Sequence, residues 1–169
     1  ASVINVTGGT FRGGMDAWVL NNIEGEKAEL NISGGNFNVN PSRFVEAGYV
    51  VAENNGVFTI AKAIAKIGNT EYATLADAIA AADENATVVV IADHKVTEPV
   101  VIEKNLIIDL NGKTLSGDGR CFLVYDHLTI MDKKGGGKLM GTNPSSNGDK
   151  HSGGCIMVAG GKLDILGGT

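Results

Sequence analysis

The chain of 169 residues is short of several things, and each shortage excludes something. Its two cysteines, Cys121 and Cys155, are too few for a disulfide scaffold and lack the spacing of a zinc site. Only 3 prolines stand against 24 glycines, so the glycine is expected to make tight corners rather than a disordered linker. Aromatic residues make up 5%, which leaves few parts for a sugar-stacking or base-stacking platform. No apolar run reaches the roughly 18 residues that a membrane-spanning helix needs. A net charge of -5 argues against nucleic acid or an anionic membrane as partner. At 43% apolar, the chain can still build a core, as one domain or two small ones. No signal peptide is visible and the first residues already read as a strand, so the chain is expected to be part of something longer.

What the sequence does contain is a recurring phrase. "VINVTGG" (Val3 to Gly9), "ELNISGG" (Glu29 to Gly35) and "KLDILGG" (Lys162 to Gly168) each place two apolar residues four and two positions before a Gly-Gly pair. Other short runs share the alternation, among them "AWVL", "TVVVIA", "PVVI", "LIIDL", "CFLVY", "LTI" and "CIMV", each bounded by Gly, Asn or Asp. Strands and corners follow one another in a fixed order that cycles, and cycling short strands are what a solenoid requires. The pattern predicts an all-β chain folded as a right-handed parallel β-helix, a β-solenoid. Parity relative to the corners points Ile4, Val6, Leu30, Ile32, Leu110, Phe122, Val124, Leu128, Ile130, Ile156, Val158, Leu163 and Ile165 into the tube. Asn5, Asn31, Thr129 and Asp164 then face outward.

Two segments break the cycle, and a solenoid needs caps at its ends. "TEYATLADAIAAADENA" (Thr70 to Ala86) predicts one α-helix, with Thr74 as N-cap and Leu75, Ala78, Ile79 and Ala82 as its apolar stripe. "NPSRFVEAGYVVAENNGVFTI" (Asn40 to Ile60) predicts a short helical turn after Pro41 and a β-hairpin around Asn54-Asn55-Gly56. Phe44 and Tyr49 are expected to cover the coil that ends at Phe37.

These residues resemble a known family. "IGNTEYATLADAIAAA" with "TVVVIAD", "PVVIEKNLIIDLNGKTLSG" and "LTI" is similar to the N-terminal part of pectin-lyase-like β-helix domains in adhesin-like surface proteins of gut Firmicutes and related bacteria. "ISGGNFNVNPSRFVEAGYVVAENNGVFTI" resembles the motif that closes such domains. The resemblance implies an extracellular, cell-surface or secreted setting and little chemistry. It also implies that residues 1–60 hold the last coils and hairpin cap of one module, and residues 61–169 the helix cap and first coils of the next. In this order the helix cap follows the hairpin cap, and each half carries an open coil.

The open coils lead to an expectation about partners. Val3, Ile4 and Val6 on one side, and Leu163, Ile165 and Leu166 on the other, expose strand edges and core cross-section, which recruit further strands. No linker separates the caps, so stacking between molecules is expected, head to tail, as a homo-oligomer or filament.

Chemistry has fewer candidates. Asp109 in "IIDLNG" and Asp164 in "KLDIL" stand at outward parity and in equivalent places, as an acidic strip for calcium or sugar or as a solvated face. The polar stretch "NPSSNGDKH", with Asn143, Asn147, Asp149 and His151, is either a tolerated decoration between coils or a binding loop for a host or plant glycan or a host surface protein. No catalytic residue, metal site or resident cofactor is expected, calcium being the only ion the acidic strip would suit. The histidines are expected on corners or loops, and the two cysteines, which begin the equivalent strands "CFLV" and "CIMV", as unbridged neighbours. The competing reading is a fragment of a carbohydrate-active β-helix, a polysaccharide lyase or glycoside hydrolase, or a glycan-binding module.

Overall fold

The fold is described from a computed structural model, for residues 3–13, 29–141 and 154–169. The chain divides into two compact units, Ala1–Ala63 and Ile64–Thr169. The protein is all-β, a β-solenoid with one short helix.

The second unit carries most of the solenoid. Its strands run β7 (Thr87–Val90), β8 (His94–Val96), β9 (Val100–Ile102), β10 (Leu106–Asp109), β11 (Thr114–Gly117), β12 (Phe122–Val124), β13 (His127–Met131), β14 (Lys138–Gly141), β15 (Ile156–Val158) and β16 (Lys162–Ile165). Every third strand stacks in parallel on the one before, giving the sheet orders β7-β10-β13-β16, β8-β11-β14 and β9-β12-β15. In-register stacking turns alternation into columns. Val88, Ile108, Ile130 and Ile165 form one column, and Val100, Phe122 and Ile156 another. Inside the tube Val88, Ile108, Leu110, Leu115, Phe122, Val124, Leu128 and Ile130 are buried. Removal of that apolar surface from water is the main force holding the coils together.

The first coil is capped as the Leu75 stripe predicts, by a shorter helix than expected. β5 (Ala65–Ile67) and β6 (Thr70–Tyr72) form an antiparallel hairpin, and β5 pairs with β7. The helix α1 spans only Leu75–Ala81. Thr70–Tyr72 is therefore strand, because the turn at Gly68 (φ 57°) sends the chain back along β5 before the helix begins. Thr74 Oγ1 accepts the Asp77 N–H at 3.0 Å, while Leu75, Ala78 and Ile79 are buried in the core. At the other end of α1, Lys104 Nζ donates to the Ala80 and Ala82 carbonyls, which lie within the negative end of the helix.

In the first unit β1 (Val3–Phe11) pairs in parallel with β2 (Glu29–Phe37), matching Ile4 with Leu30 and Val6 with Ile32. The Gly-Gly of the phrase has a steric cause there. A Cβ on Gly34 would fall on the Thr7 carbonyl oxygen where the ladder shifts register. Beyond it, Phe11 and Phe37 stack with centroids 4.9 Å apart. The 3-10 turn Ser42–Phe44 and the hairpin β3 (Tyr49–Asn54) and β4 (Val57–Lys62) follow, and β4 pairs with β2. Asn55 and Gly56 take positive φ (51° and 75°), the pair of left-handed residues a two-residue hairpin turn demands. Phe44 and Tyr49 pack against Val6, Ile32, Phe37 and Ile60, as their capping role predicts.

Several expectations are corrected. Ile4, Val158 and Ile165 are exposed although their parity is right, because each lies on the last strand of its stack and no further coil covers it. The strands β8, β11 and β14, which make a whole face of the tube, were not foreseen. His94 and His127 lie in strands, not corners. The expected strand "AWVL", and Trp18 with it, lies outside the described residues.

Candidate functional site

The two expected acidic residues are not partners. Ladder pairing puts Asp164 in a column with Thr129, Ile107 and Thr87, and Asp109 in a different one with Val89 and Met131. The acidic strip is therefore corrected: one carboxylate occupies each column. Both residues precede a glycine by three positions, but the ladder sets Asp164 level with Ile107, two residues before Asp109.

Asp109 is also not on an open face. Only 4% of it is exposed, and its Oδ1 accepts the N–H of Asn111 at 2.9 Å and of Lys133, one coil later, at 3.1 Å. It is one member of a polar stack that builds this corner. Asn111 donates from Nδ2 back to the Val90 carbonyl at 3.0 Å, Asp93 accepts the Thr114 N–H at 2.8 Å, and Asp132 accepts three backbone N–H groups, from Gly112, Gly135 and Gly137. Burial would push the Asp132 carboxyl up, but the donors from Gly112, Gly137 and Gly135 outweigh it and hold the group below the usual carboxylate range. Corner turns leave backbone donors that the next coil does not satisfy, and side-chain carboxylates supply the missing acceptors. The sequence signal was available in the Asp and Asn residues that recur beside these corners.

Asp164 stands on the outer face of the last coil, within reach of a lysine ammonium and a histidine ring. Its Oδ2 lies 2.6 Å from Lys162 Nζ and 2.8 Å from His127 Nε2. Lys162 comes from the same strand two residues earlier, hence the same face, and His127 is its in-register neighbour on β13. Lys162 first, then His127, hold the Asp164 carboxyl below its ordinary range. This cluster offers an outward ammonium, an imidazole and a carboxylate. All three are hydrogen-bonding groups on one outer patch. His94 takes the column place of Leu115, and burial lowers its pKa.

The remaining candidates divide between open edges and residues that cannot be placed. Asn143, Asn147, Asp149 and His151 lie outside the described residues. Among the described residues no group of three or more His, Cys, Asp or Glu side chains is arranged to hold a metal ion. None of their helices is long and apolar enough to cross a membrane. β1 and β16 are the outermost strands of their sheets. Val3 and Ile4 on β1 are exposed and Val6 is nearly covered, while Leu163 is half-buried, Ile165 is 63% exposed and Leu166 71%. Behind β16 a cavity of about 210 Å³ opens into the core, lined by Leu110, Ile130, Leu139, Cys155, Ile156 and Ile165.

No family model matches this chain, and no curated protein or solved structure matches it either.

Proposed function

We propose that the chain is a structural and adhesive repeat of a bacterial surface protein that stacks end to end on other copies through its open coils. The observation that carries this reading is the match between two exposed edges. β16 offers Leu163, Asp164 and Ile165 before Gly167-Gly168, and β1 offers Ile4, Asn5 and Val6 before Gly8-Gly9. Laid in the register that β1 already uses on β2, the edges would set Leu163 on Ile4 and Ile165 on Val6, and would place Asp164 beside Asn5. Asn31 already donates to Asn5 across the β1–β2 ladder at 3.3 Å, so the outer face there suits a polar column.

The contact joins unlike surfaces and does not close, so it produces rows rather than dimers. Each added copy would pair the strand edge and fill the cavity behind Ile165, two gains that come together. The resemblance to pectin-lyase-like β-helix repeats of adhesin-like proteins supports a wall-attached or secreted setting, with a host or plant glycan or a host surface protein as the outside partner. The helix-cap segment 61–169 and the hairpin-cap segment 1–60 would then be halves of successive modules.

Sedimentation over a wide concentration range tests the assembly. Species growing with concentration, and reduced to monomer by Ile165→Lys, are expected. A monomer at every concentration, with no difference between the wild type and Ile165→Lys, would overturn the reading.

A further inference from the structure

Cys121 and Cys155 stand one above the other on adjacent coils, in the ladder that continues from Phe122 and Ile156. The Cys121 N–H donates to the Cys155 carbonyl at 2.7 Å, which locks the two backbones together at this position. Neighbouring parallel strands lie about 4.8 Å apart, inside the range of Cα separations that a disulfide accepts. Both thiols are reduced here; Cys121 is fully buried and Cys155 half-buried.

The ends of the preceding strands are shaped around the pair. Gly117 and Gly141 are in-register partners on β11 and β14. A Cβ on Gly117 would stand 3.2 Å from Cys121 Sγ, and one on Gly141 only 2.9 Å from Cys155 Cβ. A column of two glycines thus faces a column of two cysteines, and the missing side chains leave the sulfurs room. Cys155 also lines the cavity behind β16, so a small molecule can reach it where it cannot reach Cys121.

We propose that Cys121 and Cys155 are a modification site: a thiol pair that a small disulfide oxidant converts to a reversible staple between adjacent coils. Cys155 reacts first. Its thiolate attacks one sulfur of the oxidant, forming a mixed disulfide and expelling one thiolate. Cys121 Sγ then attacks Cys155 Sγ and expels the second thiolate; the protons given up by the two cysteines pass to solvent, and the two expelled thiolates take up the same number from it. Two protein thiols are oxidised and one small disulfide is reduced to two thiols. The asymmetry of the pair suits this order. A hydrogen bond from Cys121 holds the Cys155 thiol below its usual range, whereas the bond to Cys155 and burial push Cys121 far above its own. The staple would close the chain from Cys121 to Cys155 into a loop, and so restrict the unfolded state.

Oxidised glutathione is the probe. Native protein, incubated with it and then analysed by intact mass, should lose two hydrogens and retain no glutathione. Both thiols should return on reduction, and the oxidised form should melt about 5 °C higher or more. Cys121→Ser should trap glutathione on Cys155, and Cys155→Ser should take up none. Stable glutathione on Cys155 in the wild type would overturn the proposal. So would two unreacted thiols under conditions that oxidise the urea-unfolded chain. Both outcomes are read on the wild type, whatever the stability of the serine variants.

Discussion

Asp132 reaches back one coil and accepts the backbone N–H of Gly112 at 2.8 Å, while its other oxygen accepts Gly137 at 2.6 Å. One carboxylate therefore joins the corner below to the corner it belongs to. The folded state holds this group below its ordinary pKa. The sign follows: a depressed carboxyl stabilises above its unfolded pKa, near 4, and that contribution is lost as the pH falls through the lower folded value. Asp132→Ala should melt lower than wild type at neutral pH, and the gap should shrink in thermal melts recorded below about pH 3.

Asp109 and Asp164 should separate in the same kind of experiment. Removal of the Asp109 carboxylate leaves the Asn111 and Lys133 N–H groups without their acceptor at a site that water hardly reaches. Asp109→Ala should cost about 1–3 kcal/mol in urea unfolding, the usual penalty for buried polar groups left unsatisfied. Asp164→Asn keeps the fold and should leave the urea midpoint nearly where it is in the wild type, as expected for a partly exposed ion pair.

Leu75 is 1% exposed under the first coil. Leu75→Ala should lower stability by about 2–5 kcal/mol, the range for truncating a buried leucine. Unchanged urea and thermal midpoints would remove the helix from its place as a cap.

Incubated with polygalacturonate or other acidic glycans, with or without calcium, the protein should release no reducing or unsaturated ends. The basis is the separation of Asp109 and Asp164 into different columns, which keeps them from acting as a stacked pair. Turnover above a buffer control, abolished by Asp164→Asn, would give the carbohydrate-active alternative the advantage.

The tube was legible wherever inward positions are filled by large apolar residues. Leu106, Leu128 and Leu163, and Ile108, Ile130 and Ile165, announce their columns through strict alternation. The face made by β8, β11 and β14 was not legible, because "HKV", "TLSG" and "KLMG" offer little apolar contrast and include the paired Gly117 and Gly141. The helix start was legible at Thr74, whereas the strand character of Thr70–Tyr72 was not, because it comes from its partner β5, a tertiary contact that local propensity does not contain. The false equivalence of Asp109 and Asp164 has a similar origin: spacing to a glycine reports a corner, while coil register is set by the strands on either side.

The column from Val88 to Ile108, Ile130 and Ile165 advances by a similar span twice and then by a much longer one, yet its pairing does not slip. Residues 142–153 fall in that longer step. Register in this frame is blind to the amount of chain between one strand and the next. Closing a longer loop costs only about 0.6 kcal/mol for each doubling of its length. A foreign peptide spliced between β14 and β15 would therefore be carried at little expense to the ladder. The ladder thus tolerates insertion or deletion between β14 and β15 without a rewriting of the columns that hold it together.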